Sequence, residues 1–360
     1  MDKSEHLFLE EYEDSNWQIP EQVTQKAKSK IDTRQLIKPE KLLENNDSQV
    51  KVYISYSSYE PNLTVLKKIW NHTSAGKTNP ILLVNLYFSK AGEEQAVYCG
   101  FNEENQFIRK INKDYLEIIL SQILNESNRL ISEQLIYTSF TDSDDNILGI
   151  ENQNIYSNNY LFTLKDDSKV SHKSDFLKSI NYESELLNEL GFEEDKVNNQ
   201  YSILKNKASK NKLALYIELS NEQYFNFKDK EFNNYSPVEI GFSLLEKEHL
   251  NYLLIRRDYQ IYLYFRKSDP NCFLSFNLDI LKRFDFGLFF YLLSSQSMFD
   301  GGNLEVIGEQ SKDLTLKLEE SLKNKIYDEV LPPLVNGIKN SKYTQDDQLS
   351  KRELEEIHSV

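Results

Sequence analysis

The residues with the clearest potential for chemistry are acidic side chains in the segment 176–265. Glu218 lies on a candidate strand, Leu213 to Leu219, and Glu194-Asp195-Lys196 follows Gly191. Two carboxylates can hold Mg²⁺, and a nearby Lys can help to activate water and steady the charge that develops during phosphodiester cleavage. Glu218 is therefore a candidate catalytic residue, and Glu218 and Asp195 are candidate ligands of Mg²⁺.

This set of residues is incomplete as an active site. Ser220 stands two residues after Glu218 where the chemistry needs Lys, and the candidate strand Tyr201 to Leu204 contains no Asp. The Glu194-Asp195-Lys196 run is predicted to lie in a turn. An active site would need a Lys from elsewhere, such as Lys212 or Lys228. We favour the alternative that this is a structural core with an incomplete site.

Other motifs in the sequence lack the context that their chemistry requires. Ala75-Gly76-Lys77-Thr78 resembles the end of a phosphate-binding loop, but a helix pattern precedes it and a strand pattern follows it, the reverse of the required order. Asp285-Phe286-Gly287 lacks the accompanying kinase motifs and reads as helix. The five histidines have no metal-ligand spacing with another His or Cys: His6, His72, His172, His249 and His358.

Composition narrows the class of protein. The 360-residue chain has 22 Tyr and 20 Phe, enough large side chains for real cores, and a net charge of −15 that argues against a stand-alone nucleic-acid binder. Cys99 and Cys272 are expected to be reduced thiols. We see no apolar stretch long enough for a signal peptide or a membrane span, so we expect a soluble, cytoplasmic protein with no membrane partner.

Periodicity predicts a mixed α/β fold in three parts. An N-terminal α/β domain covers residues 1–150, with mostly helical patterning over 1–50, where Lys38-Pro39-Glu40 reads as a helix start. Strands are expected at 50–55, 80–88 and 96–100, and helices at 62–70 and 115–123. A polar stretch, 141–172, with one strand-like patch at Tyr160 to Leu164, marks the boundary. A second α/β domain covers 172–300, and 301–360 is a helical segment with a polar tail.

The second domain shows the order helix, strand, strand, helix, strand. A helix runs from Phe176 to about Leu190, strands lie at 201–204, 213–219, 252–255 and 260–265, and a helix lies at 237–248. Arg256 to Tyr259 is expected to be the hairpin turn between the last two strands. Helices follow at 280–298 and 314–331, and Pro332 and Pro333 are expected to break the second of them. This order matches a restriction-nuclease-like core.

Several segments resemble, in the same order, the N-terminal regions of type IIG restriction–modification enzymes, in which a nuclease and an adenine methyltransferase share one chain. Residues 70–84 are similar to the pattern W-x-x-R-x-G-G-R-x-x-P-V-L-V-V, and 97–100 to A-x-L-C-G. Residues 186–192 resemble L-L-x-x-L-G-Y/W, residues 252–264 resemble L-L-T-N-G-x-x-W-R-L-Y, and 322–335 resemble the helix that leads into the methyltransferase. The likeness covers roughly residues 60–340.

The departures from this family concern its chemistry. Arg256-Arg257-Asp258 replaces the usual Thr-Asn-Gly turn, the nuclease Lys is missing, and the Gly-rich cofactor motif and the Asn-Pro-Pro-Tyr loop are absent. Binding of S-adenosylmethionine is therefore not carried over. The resemblance implies a phage-defence module that acts with a DNA adenine methyltransferase module or subunit, on duplex DNA as part of the assembly. Two alternatives stay open, an active Mg²⁺-dependent endonuclease that uses Glu218, and a protein-interaction scaffold without a DNA role.

Overall fold

The structure is a computed structural model, and it describes residues 41–44, 50–57, 59–75, 80–89, 91–101, 106–140, 147–165, 182–284 and 287–342. Two compact units divide the chain, Met1–Ser143 and Asp144–Val360. Each unit contains a mixed β-sheet with helices. The predicted mixed α/β class is therefore confirmed. None of the described helices has both the length and the apolar character needed to cross a membrane.

The first unit is a five-stranded sheet in the order β1-β2-β3-β4-β5. Strands β2 and β3 are parallel because helix α1 connects them, and the other neighbours are antiparallel. Buried Leu66 and Trp70 of α1 pack on the sheet, and Trp70 Nε1 donates a hydrogen bond to the carbonyl of Ile81 at 2.8 Å. The elements are β1 (Lys41–Glu44), β2 (Lys51–Ser57), α1 (Leu63–Ser74), β3 (Ile81–Phe88), β4 (Glu94–Phe101), β5 (Gln106–Asn112), α2 (Lys113–Asn125) and α3 (Arg129–Phe140).

The predicted elements of the first unit are confirmed wherever the structure describes them, with one exception. Residues 41–44 were expected to be helical, and they form strand β1 because their backbone pairs with β2, Lys41 opposite Ile54. The Lys38-Pro39-Glu40 motif and Gly76-Lys77-Thr78 lie outside the described residues. Strand β5 and helix α3 were not predicted.

The second unit is a seven-stranded sheet in the order β6-β12-β11-β10-β9-β8-β7. The pair β9–β10 is parallel and is joined through helix α6, and all other neighbours are antiparallel. Strands and their flanking helices are β6 (Ile150–Gln153), α4 (Asn158–Lys165), α5 (Tyr182–Glu189), β7 (Phe192–Lys196), β8 (Ser202–Asn206), β9 (Lys212–Leu219), α6 (Pro237–Glu248), β10 (Tyr252–Arg257), β11 (Gln260–Phe265) and β12 (Phe273–Asn277).

The C-terminal part of the second unit is helical. It comprises α7 (Leu278–Phe284), α8 (Gly287–Leu293), a 3₁₀ turn (Ser295–Met298), α9 (Asn303–Lys325), a π turn (Ile326–Val330) and α10 (Leu331–Lys342). Pro332 and Pro333 were expected to end a helix, and this was wrong, because they lie in the first turn of α10. The wider π turn in front of them leaves room for rings that lack a backbone N–H.

Both faces of the large sheet are covered by apolar side chains. One face packs against α4, α5 and α7 to α9, and the other packs against α6. Helix α6 is held in place by a capping box, in which Ser236 Oγ accepts from the amide of Glu239 and the Glu239 carboxylate accepts from the amide of Ser236. The sheet therefore presents its strand ends on a rigid two-sided core.

Other predictions for the second unit were also wrong in detail. Tyr160 to Leu164 belongs to helix α4, since Leu161 and Leu164 share one buried helix face. The Glu194-Asp195-Lys196 run is an edge strand, β7, because its backbone pairs with β8. The turn between β10 and β11 holds only Asp258 and Tyr259, with Asp258 at φ 51°, so Arg256 and Arg257 belong to the sheet.

Candidate functional site

The second unit contains an open groove of about 610 Å³ that runs along one face of β7, β9 and β10 beneath α5. Its walls combine apolar side chains with formal charges of both signs, three acidic and three basic. The lining residues are Leu186, Leu187, Asn188, Phe192, Glu193, Glu194, Lys207, Lys210, Tyr216, Glu218 and Arg256. The predicted catalytic residue, Glu218, is thus part of the groove.

Glu218 lies one residue before the end of β9 and is exposed. Its Cα partner in the parallel pair with β10 is Arg256, so the two side chains leave the same face of the sheet side by side. Within the described ranges, no hydrogen bond or ion pair reaches the Glu218 carboxylate. The carboxylate is therefore available to a ligand in the groove.

Arg256 is the buried charge of the site, with only 7% of its surface exposed. Its Nε donates to the carbonyl of Asp258 at 3.2 Å, and its guanidinium interacts electrostatically with the Tyr216 phenol. Burial raises the pKa of Tyr216, and the nearby Glu218 carboxylate raises it further, while Arg256 lowers it. Glu218, Tyr216 and Arg256 thus form one electrostatic unit, which we call the Glu218 cluster.

Glu194 and Ser202 extend this polar face toward the edge of the sheet. Ser202 Oγ donates to the Glu194 carboxylate at 2.6 Å, and Ser202 is the Cα partner of Tyr216. Glu194 also acts electrostatically on Tyr216, so both carboxylates, Glu218 and Glu194, raise the pKa of the phenol.

Asp195, the second predicted metal ligand, lies away from Glu218. Glu193 and Glu194 of β7 line the groove, and Asp195 does not. Its carboxylate instead pairs with Lys205 Nζ at 2.5 Å, and the hydrogen bond to Lys205 lowers the pKa of Asp195. The structure therefore does not bring Asp195 and Glu218 together.

The two lysines considered as activating groups also lie elsewhere. Lys212 begins β9, six residues before Glu218, which corresponds to about 20 Å of strand. Its Nζ contacts the Glu248 carboxylate at 3.2 Å. Lys228 is exposed in the loop before α6, where its charge helps to lower the pKa of Glu239. Arg256 is thus the cation beside Glu218.

The residues around Glu218 do not fit a Mg²⁺ site. Magnesium prefers several carboxylate and water oxygens in an octahedral arrangement, and here a permanently charged guanidinium adjoins the single free carboxylate. Among the described residues, no group of three or more His, Cys, Asp or Glu is placed to hold a metal ion. The groove is better suited to a polar ligand that accepts from Arg256 and donates to Glu218.

Two lysines at the rim of the groove are held in place by a hydrogen bond and an ion pair. Lys207 Nζ donates to the carbonyl of Asn188 at 2.9 Å, and Lys210 forms an ion pair with Glu193. Asn206 shapes this β8–β9 turn, since its Oδ1 accepts from the amides of Ala208 and Ser209. The two lysines are therefore placed at the end of the groove remote from Glu218.

Sequence reasoning missed Arg256, Tyr216 and Ser202 as members of the site, and it considered Glu194 only within the Glu194-Asp195-Lys196 run. A signal existed for Arg256, because it directly continues the buried run Tyr252 to Ile255 at the strand position that pairs with Glu218. Comparison with protein-family models, with curated proteins and with solved structures finds no match to this chain.

Proposed function

We propose that the chain is a non-catalytic or weakly catalytic module of a DNA restriction–modification system, and that it acts beside a DNA adenine methyltransferase. One observation carries the proposal: the sheet partner of Glu218 is the buried cation Arg256 and not a second carboxylate. The order α5, β8, β9, α6, β10, to which the structure adds the edge strand β7, supports a nuclease-like ancestry for the second unit. The guanidinium supports the loss of metal chemistry.

The charge of the chain supports a role inside an assembly. With a net charge of −15, the chain has little overall attraction for phosphates, so its contacts with duplex DNA would depend on a partner that supplies positive charge. The groove would then contribute local polar contacts, with the Arg256 donors beside the Glu218 acceptor, to a complex whose affinity comes mainly from the methyltransferase.

The first experiment tests this association. The chain is co-expressed with a DNA adenine methyltransferase encoded beside it, and the complex is measured by light scattering. Duplex binding is followed by fluorescence anisotropy between roughly 50 and 200 mM salt, where phosphate contacts weaken steeply. We expect a stable complex that binds duplex DNA more tightly than the chain alone. Failure of the two proteins to associate would contradict the proposal.

The second experiment distinguishes a module from an active endonuclease. Cleavage of supercoiled plasmid by the complex in Mg²⁺ is compared between the unmodified chain, Glu218→Ala and Glu246→Ala. Glu246 is a matched control because its side chain is 72% exposed on α6, outside the groove, and its loss changes the charge equally. We expect the same cutting rate in all three. Loss of Mg²⁺-dependent cutting in Glu218→Ala alone would establish the endonuclease alternative.

A further inference from the structure

Helix α9 begins on the body of the second unit and then leaves it. Leu304, Ile307 and Ser311 are buried, Tyr156 Oη donates to the carbonyl of Leu304 at 2.8 Å, and the amide of Ser157 donates to Ser311 Oγ at 2.5 Å. From Lys312 onward almost every described side chain up to Gly337 is exposed. About 26 residues of helix, or roughly 40 Å, therefore extend beyond these contacts.

This exposed part carries large apolar side chains in one line. Leu318, Leu322, Ile326, Val330 and Leu334 follow each other at intervals of four residues, and we call them the apolar row. Leu322 is 60% exposed and Val330 is 53% exposed. Leu316 and Tyr327 are also exposed, but at 100° per residue they lie around the helix from the row and are not part of it. The row continues the helix face that Leu304, Ile307 and Ser311 bury against the body.

The π turn keeps the apolar row straight. Four residues of α-helix turn through 400°, so a row at intervals of four drifts by about 40° with each step. Residues Ile326–Val330 form a wider turn, in which the amide of Leu331 donates to the carbonyl of Ile326. This turn rotates the chain less per residue, and Val330 and Leu334 stay in line with Leu322. The π turn thus keeps the side chains of the apolar row on one side of the helix.

The opposite face of the same helix is polar. Lys317, Glu320, Ser321, Asn324, Lys325, Asp328 and Glu329 line a shallow depression of about 430 Å³ there. The helix is therefore amphipathic from Lys317 to Glu329. Single exposed apolar residues are normal on protein surfaces, but an aligned set of this size marks an interaction surface.

We propose that the apolar row is a dimerisation surface that pairs with the same row of a second copy of this chain. Two observations support a second copy as the partner. The helical segment 303–342 holds six Lys against seven Asp and Glu, a net charge of −1, so it does not repel itself although the chain carries −15. If the five side chains of the apolar row each bury roughly 100 Å², the pair buries on the order of 1,000 Å², about the smallest area expected of a specific interface.

The charge distribution also sets the direction of pairing. The part of the second unit that precedes α9, residues 144–302, holds 18 Lys and Arg against 24 Asp and Glu, a net charge of −6. In a parallel pair the two acidic bodies would lie side by side at one end. In an antiparallel pair the exposed helices would hold them apart by several Debye lengths of about 8 Å. The pairing is therefore antiparallel, with its two-fold axis near Ile326, the midpoint of the row.

The test measures the mass of the full chain by light scattering and analytical ultracentrifugation across a concentration series. We expect a dimer, and Leu322→Glu is expected to raise its dissociation constant by roughly 100-fold or more, because two charges enter one apolar interface. Ser321→Glu is the matched control, since it adds the same charge one residue away on the polar face. Thermal unfolding of both variants shows whether the fold is intact.

Cysteine cross-linking tests the direction in a Cys272→Ser background, where the remaining Cys99 is buried. Leu318→Cys and Leu334→Cys chains, mixed and oxidised, should form mainly the mixed disulfide. Disulfides between identical positions would overturn the antiparallel arrangement. A monomer at all concentrations, or a dimer unaffected by Leu322→Glu, would overturn the proposal. So would a monomer whose amides at 318–334 resist hydrogen exchange, since the row would then be covered by its own chain.

Discussion

At the scale of single residues, the buried hydroxyl of Tyr264 affects the stability of the second unit. Its side chain is wholly buried in the aromatic layer beneath α6, next to Phe242, Tyr262 and Phe273. Its hydroxyl has no hydrogen-bond partner within the described part of the chain. Burial accordingly raises the pKa of Tyr264. A buried hydroxyl without a partner costs free energy without contributing a bond.

Tyr264→Phe is therefore expected to stabilise the protein, by about 0.5–2 kcal/mol, because it removes a desolvated hydroxyl and leaves the ring packing intact. The free energy of unfolding is measured by urea denaturation at neutral pH. Tyr235→Phe is the control, since Tyr235 is 55% exposed and its change should be close to zero. A destabilised Tyr264→Phe protein would mean that the hydroxyl has a partner.

The candidate site was only partly predictable at this scale. The strand position of Glu218 follows from the apolar run that begins at Leu213, and the structure confirms that strand. The separation of Asp195 from Glu218 did not follow, because β7 is a largely exposed edge strand whose sequence looks like a turn. Its pairing with β8, and hence the face of each side chain, depends on contacts made across the sheet.

At the scale of elements, Gly241 and Gly337 place the same residue type in two different helical environments. A Cβ at Gly241 in α6 would lie 2.4 Å from Leu253 Cδ2 of β10, so the glycine permits close packing of helix on sheet. A Cβ at Gly337 in α10 would meet nothing within 4 Å. Helix propensity alone favours Ala over Gly at both positions, by about 1 kcal/mol.

The two substitutions are expected to change stability in opposite directions. Gly241→Ala should lower the free energy of unfolding by about 1–3 kcal/mol, because the helix must move away from Leu253. Gly337→Ala should leave it unchanged or raise it by up to about 1 kcal/mol. Denaturant titration of both variants is the measurement. Equal effects would show that α6 can shift on the sheet at little cost.

Elements with strong local signals were predictable from the sequence, and those fixed by distant pairing were not. Helix α6 was predicted with its observed bounds, since Pro237 begins a regular apolar pattern that ends before a left-handed His249. Strand β6 was missed because its four residues, Ile-Glu-Asn-Gln, have little strand character and are held by pairing with β12. The π turn Ile326–Val330 was likewise not predicted, because no local sequence pattern indicated it.

At the scale of the whole molecule, buried tyrosines make the free energy of unfolding depend on pH in the alkaline range. In the second unit the pKa values of Tyr156, Tyr216, Tyr262 and Tyr264 are raised chiefly by burial, and the pKa of Tyr252 is raised to about 12. An unfolded tyrosine ionises near pH 10. Above that pH the unfolded chain releases protons that the folded chain keeps, so stability decreases as pH rises.

The free energy of unfolding should therefore be nearly independent of these groups below pH 10 and fall between about pH 10 and 12, by up to about 1.4 kcal/mol per pH unit for each tyrosine. Urea denaturation at pH 9, 10 and 11 checks this. Lysine side chains titrate in the same range, but they are identical in the unmodified chain and in each variant, so they do not affect the difference between them. The stability gain of Tyr264→Phe over the unmodified chain should increase in the same window. A gain that stays constant would mean that Tyr264 ionises normally when folded.

The position of β6 at the edge of the large sheet has a consequence for synthesis of the chain. Ile150 pairs with Phe276, 126 residues later, so this strand leaves the ribosome long before its partner exists. At typical elongation rates the delay is roughly 6 to 25 s, which is long compared with the folding of a hairpin. Strand β6 therefore remains unpaired until β12, the last strand of the sheet, has been synthesised. A nascent chain that stalls before Asn277 would keep an exposed, unpaired strand edge that can associate with other chains.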